Sequence, residues 1–273
     1  MVTDAKFATV NLATQTNNVC HQLTRRDALI RGTFIIAAIC RDGIVVASDT
    51  RANIFDRTKS QQETVAYFDG VQKIFPIQDC VMASSGQAIF GNLFFSSIIN
   101  QFTSTSNNLS LDKLIPIFLL YCKRSLPQFA GDIIEKKLIA AGYVKGHPTL
   151  YFFDGKLAIP YGHLTDSGMI ESDATFLQGQ QEQLSSLPAK DASPLLIRAI
   201  ESCAAVSDNW RKIGGPPDLL LMTRRGWSWL QKNSAYSWNS FADFLHDYAA
   251  HKIKVNLVPP ATEEQLARLL SAG

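Results

Sequence analysis

The chain shows two kinds of hydrophobic spacing, and they fall in blocks. Phe34 to Cys40 and Ile44 to Ser48 are short apolar runs rich in β-branched residues, separated by Arg41-Asp42-Gly43, which has turn chemistry. A three-residue loop with Gly43 left-handed closes Cys40 on Ile44. In that register Thr33 stands opposite Arg51, and Asp49 stands diagonally beside Thr33 on one sheet face. The hairpin therefore gathers a hydroxyl, a carboxylate and a guanidinium at one edge.

Further along, Val71 to Ile77 and Cys80 to Ser84 read as a second antiparallel pair across Gln78-Asp79. Helical spacing follows over Gln87 to Gln101, and again over Leu111 to Gln128 with Ser110 as N-cap and Asp112 in the first turn. Thr149 to Phe153 and Lys156 to Tyr161 pair across Asp154-Gly155. Ser193 to Val206 is an amphipathic helix with Pro194 in its first turn. Leu219 to Thr223 and Trp227 to Leu230 form a last hairpin around Arg224-Arg225-Gly226. Asn53 to Phe68 reads as irregular. Residues 1–31 are polar, without a period, and read as an N-terminal arm. After Asn233 apolar spacing returns at Phe241, Phe244, Leu245 and Tyr248, and a short helix is expected between Thr262 and Leu270. Strands early and late, apolar on both faces, with helices in two blocks, predict an α+β chain. Its architecture is a four-layer αββα sandwich of two antiparallel sheets between helix layers.

Composition narrows the picture. The 273 residues are 46% hydrophobic and 18% charged, an ordered globular balance slightly poor in charge. A net charge of +2 without a basic run gives no reason to expect nucleic acid. No apolar run approaches the roughly 20 residues that span a bilayer. Arg25-Arg26 before Gly32 to Cys40 has the look of an export signal, but the apolar part pairs naturally as a hairpin. Cys20, Cys40, Cys80, Cys122 and Cys203 are odd in number and lack paired spacing, so they read as buried free thiols in a reducing, cytoplasmic setting. The five histidines show no metal-ligand spacing, and neither a metal nor an organic cofactor is expected.

Four landmarks recur in order: Gly32-Thr33; Asp49-Thr50-Arg51-Ala52; Val71-Gln72-Lys73-Ile74; and Ser85-Gly86. Together they resemble proteasome β-type subunits and the bacterial proteasome-like threonine peptidases, over roughly Thr33 to Leu230. Met169 to Gly179 resembles a later landmark of that family, transferring only Ser172 and Gly179, and Ile213-Gly214-Gly215 another, with Ile213 in place of a serine. The resemblance implies an N-terminal-nucleophile hydrolase fold, with residues 1–32 a propeptide, 33–232 the peptidase domain and 233–273 a helical extension. It implies that cleavage after Gly32 frees Thr33 as nucleophile, with its own amine as base. Lys73 would stand beside it, Asp49 would pair with Lys73, and Arg51 would buttress the edge. The Gly86 N–H would be the oxyanion donor, and Ser172 and Asp208 would orient the amine. Ala52, Ser84 and Ala88 would line an open side-chain pocket suited to a bulky apolar residue. Polypeptide substrates, a homo- or hetero-oligomeric ring, and an ATP-dependent unfoldase or cap are the implied partners. The alternatives are a ring subunit that keeps its prosegment and never cuts, and an amidase of the same class acting on a small molecule.

Overall fold

A computed structural model describes residues 27–32, 34–59, 63–106, 108–155, 159–161, 164–167, 181–205 and 212–271. The first third is strands: β1 (Ala28–Gly32), β2 (Ile35–Cys40), β3 (Gly43–Ser48), β4 (Ala52–Asp56), β5 (Thr64–Phe68), β6 (Ile74–Ile77) and β7 (Cys80–Gln87). A two-residue pair, β8 (Ile89–Phe90) and β9 (Leu93–Phe94), leads into helices α1 (Phe95–Thr105), α2 (Leu111–Ser125) and α3 (Ala130–Ile134). Next come β10 (Lys137–Val144), β11 (His147–Phe153), β12 (Ile159–Tyr161) and β13 (Leu164–Ser167), then α4 (Gln181–Ser186) and α5 (Ala189–Ala205). The chain finishes with β14 (Asp218–Thr223), β15 (Gly226–Gln231), α6 (Phe241–Ala249), β16 (Asn256–Leu257) and α7 (Glu263–Ser271).

The large sheet runs β12-β11-β10-β7-β1-β4-β5-β16, with β6 also on β7; the second runs β13-β2-β3-β14-β15. Alternation along β2 shows why the layers form. Ile35, Ala37 and Ile39 pack between the sheets against Val81, Ala83, Ile139 and Leu150. Ile36, Ala38 and Cys40 face the other way, against Leu184 of α4 and Leu196 and Ile200 of α5. Beyond the large sheet, Met82, Leu138 and Ala140 meet Phe102, Leu114 and Phe118 of α1 and α2. Helices, sheet, sheet, helices: the αββα sandwich is the observed architecture. Phe241 and Phe244 of α6 and Leu266, Leu269 and Leu270 of α7 close a further core with Ile30, Ile54 and Phe68, so the C-terminal segment covers its own chain.

The elements differ from the sequence expectation at several places. Cys40 pairs with Gly43 and Ile39 with Ile44, so the loop is Arg41-Asp42 alone and the hairpin register is one residue off the expected one. The loop is held by tertiary bonds, Arg41 N–H to Leu187 O (2.9 Å) and Ala189 N–H to Asp42 Oδ1 (2.7 Å). Gly43 serves close approach rather than turn geometry: a Cβ there would stand 2.6 Å from Met222 O in β14. Residues 89–94 form a small β-ladder before α1 rather than a helix. The segment expected to be irregular supplies β4 and β5, which pair in the sheet interior. The final residues of the expected N-terminal arm form β1. The strand β10 fell in a stretch without an assigned element.

Candidate active site

Strand β1 is inserted between β4 and β7. Gly32 pairs with Ala52 on one side and with Gly86 on the other, and the Ala88 N–H donates to Ile30 O at 2.7 Å. Gly86 has φ +95°, a conformation that favours glycine. Ala28, Leu29 and Ile30 are buried. The chain just before the Gly32–Thr33 bond is therefore held as an extended strand with partners on both edges.

Beside that strand lies a charge pair. Asp49 follows β3 and Lys73 precedes β6; Lys73 Nζ donates to Asp49 Oδ1, and both side chains are almost wholly buried. Oδ1 also accepts the Phe34 N–H (2.9 Å), and Oδ2 accepts the Arg51 and Gly214 N–H groups (3.2 Å each). Four donors converge on one buried carboxylate, which fixes its position. Burial pulls the Lys73 amine below its ordinary range, and Asp49 opposes that pull. The lysine stem lies against the junction: a Cβ on Gly32 would stand 2.8 Å from Lys73 Cε and 3.6 Å from Nζ.

Arg51 reinforces the edge through Asp69, a residue not singled out in the sequence. Its Nε and Nη2 make a two-pronged pair with Asp69 (2.7 and 3.0 Å), and its guanidinium lies 4.0 Å from the Tyr67 ring centroid. Gly214-Gly215 makes room for it, since a Cβ on Gly214 would stand 2.6 Å from Arg51 Cζ. Gly214 O also accepts the Thr50 and Arg51 N–H groups (3.2 and 3.0 Å). The glycine pair thus locks the Asp49-to-Arg51 turn from the far end of the sequence, while Ile213 is buried in the α5 core.

Ser84 and Ala88 line a cavity of about 20 Å³ with Gly32, Lys73, Gly86 and Lys136. Ala52 lies across β1, paired with Gly32. Phe75, Phe94, Phe95 and Trp238 also line this cavity, which with strand β1 in place has room for about one water. Two groups in this wall, Lys136 and the Tyr236–Trp238 segment, escaped the sequence reading, as did Asp69 beside Arg51. Tyr236 O accepts the Gln72 N–H (3.2 Å) and Trp238 O accepts the Ser96 hydroxyl (2.7 Å), so the C-terminal segment straps the stretch just before Lys73 and the start of α1. Thr33, Ser172 and Asp208 lie outside the described residues, as does the 168–180 stretch containing the expected Ser172 landmark.

The layers and topology define a class of fold, the four-layer αββα sandwich of N-terminal-nucleophile hydrolases. Among solved structures the chain is similar to the Anbu (Gly-1) mutant from Hyphomicrobium sp. strain MC1. The match has a TM-score of 0.54 at 16% identity and covers 81% of this chain and 94% of that one. At that identity the likeness speaks for the fold. Neither a protein-family model nor a curated protein matches the chain. No helix among the described residues is long and apolar enough to cross a membrane.

Proposed function

We propose that the protein is a threonine endopeptidase that cuts its own chain between Gly32 and Thr33 and then hydrolyses peptide bonds with the freed Thr33. The observation that carries this reading is the buried Asp49–Lys73 pair, packed directly against Gly32 and hydrogen-bonded to the Phe34 N–H. A threonine hydroxyl needs a base, and a free α-amine, with a pKa of about 7.7–8.0, supplies one in the same residue. An amide-linked Thr33 lacks that amine, so cleavage after Gly32 precedes activity. Lys73 then raises the positive potential around the hydroxyl and keeps its proton mobile, while Asp49 holds the lysine in place. The Gly86 N–H, on the strand flanking Gly32, faces charge developing on the scissile carbonyl. Ser172 and Asp208 are assigned to orienting the amine, and Ala52, Ser84 and Ala88 to the side-chain subsite.

The site of β1 supports a polypeptide substrate. Removing residues 1–32 opens a slot between β4 and β7 with free backbone groups on both edges, into which an extended chain adds as a strand. Assembly into a ring in the cytoplasm, with an ATP-dependent unfoldase or cap feeding it, belongs to the same reading.

One observation favours a second reading, a ring subunit that keeps its prosegment. Strand β1 is built into the sheet, with five paired positions on β4 and the side chains of Leu29 and Ile30 in the core. The intact mass of the wild type beside Thr33→Ala decides between them. Loss of residues 1–32 from the wild type alone is the expected result; two full-length chains would sink the peptidase reading and favour the retained prosegment.

A further inference from the structure

Lys136 stands just before β10 at the floor of the cavity beside Gly32, and 2% of it is exposed. Its Nζ donates to Gln87 O at 2.5 Å and lies 4.2 Å from the Phe95 ring centroid. An ammonium has three donors, and that carbonyl takes one. Among the described residues no carboxylate lies within ion-pair distance of it; the ion pair in the same wall belongs to Lys73 and Asp49. Burial, together with the positive charges of Lys73 and Arg31, lowers its pKa to about 7. Lys136 also lines a second opening of about 220 Å³, with Arg31, Lys137 and the carboxylates Asp132 and Glu135, neither of which is within ion-pair distance of its amine.

A buried amine with spare donors, beside a cavity and under the influence of two cations, is an anion site awaiting its anion. The cavity begins at Gly32, where the prosegment carries no side chain. A side chain at that position starts against the Lys73 stem, whose charge Asp49 already neutralises, and reaches the floor at Lys136. The walls are mostly apolar, so water competes weakly for the amine; the cavity holds about one water while the prosegment is in place, and a carboxylate enters by displacing it.

We propose that Lys136 makes this cavity a carboxylate-reading subsite, so that the processed enzyme prefers aspartate or glutamate immediately before the scissile bond. The inference rests on the peptidase reading for its substrate, but its geometry can be tested without cleavage. In a Thr33→Ala background, which keeps the chain whole, Gly32→Asp is compared with the near-isosteric Gly32→Asn, each with and without Lys136→Met. Any strain against Lys73 is common to both substitutions and cancels. At pH 6.5 the Asp variant is expected to melt about 3 °C or more above the Asn variant, an advantage that Lys136→Met abolishes. Equal melting, or an advantage that survives Lys136→Met, overturns the subsite. With processed enzyme, peptides carrying Asp rather than Asn before the cut are expected to show about tenfold higher kcat/KM, a ratio lost in Lys136→Met. Equal rates overturn it as well. If no peptide is cut, the peptidase reading has failed and the melting cycle alone decides the subsite.

Discussion

Two lysines, each almost fully buried, stand in one cavity wall and are handled in opposite ways. Lys73 faces a carboxylate that is itself held by three backbone N–H groups. Its charge is compensated within the fold, and its position is fixed by chain segments as distant as Phe34 and Gly214. Lys136 has a backbone carbonyl and an aromatic face. Both are weak substitutes for water around an ammonium, and so its proton is loosely held at neutral pH. The difference separates two uses of a buried cation. One is tied into the scaffold by its carboxylate partner; the other gains its charge fully only when an anion arrives.

The comparison breaks most sharply at Asp49. Asp49→Ala strands the Lys73 ammonium and removes the acceptor of three N–H groups, and is expected to lower stability by about 3–5 kcal/mol in urea titrations. Combining Asp49→Leu with Lys73→Met removes both charges and should recover part of that loss while leaving the chain unprocessed. Recovery of processing in the double variant would remove the pair from the chemistry. At Lys136 the sign reverses. Lys136→Met removes a lysine whose folded pKa is about 7 against an ordinary 10.5. Between those values the unfolded chain binds more protons, so wild-type stability rises with pH through that window. The methionine variant should be about 2 kcal/mol more stable at pH 7, after the loss of the Gln87 hydrogen bond, and should lack this rise. Parallel pH–stability curves for the two proteins would show that Lys136 keeps an ordinary pKa.

The same contrast marks what could be read from the chain. Asp49 and Lys73 were legible because each sits in a short landmark at the end of a strand, and apolar runs fixed the strands. The two sheets and their helices followed from runs apolar on both faces. The hairpin register was not legible, because Gly43 suits a turn as well as a close approach, and only β14 decides which. Strand β1 was not legible either: Ala28 to Gly32 is five residues long, and its partners on both edges lie elsewhere in the sequence. Lys136 sits in Glu135-Lys136-Lys137, which reads as a solvated turn. The strand that follows gives no alternation to place it, since Leu138, Ile139, Ala140 and Ala141 are all buried and either lysine could begin the covered face. Asp69 needed tertiary information, because nothing local marks it as the partner of Arg51.

Smaller effects test how far the rigidity of the Lys73 side extends. Gly214→Ala places a methyl within 2.6 Å of Arg51 Cζ, which is packed between Asp69 and Tyr67. Displacing that guanidinium is expected to destabilise by about 1–3 kcal/mol. Because Gly214 N–H also binds Asp49, processing should slow along with it. Processing at the wild-type rate in a destabilised Gly214→Ala chain would show that Asp49 is held well enough by its other donors.

The smallest effect is expected where a charge pair ties the C-terminal segment to the sheet. Arg268 of α7 reaches Asp56 of β4 at 3.3 Å, but its side chain is 66% exposed. Asp56 is buried and already accepts the Thr58 N–H (2.9 Å) and hydroxyl (2.6 Å). With those bonds in place the carboxylate loses little when the arginine goes, and an exposed guanidinium is screened by salt. Arg268→Ala should therefore change stability by less than about 1 kcal/mol, with the difference shrinking further in 0.5 M salt. The apolar contacts of Leu266, Leu269 and Leu270 with the β1–β4–β5 core then hold the segment. Leu269→Ala, by contrast, should destabilise by about 2–5 kcal/mol. The reverse ranking would mean that the strap over Lys73 is held by charge, and that the two lysines sit in a wall whose integrity depends on ionic strength.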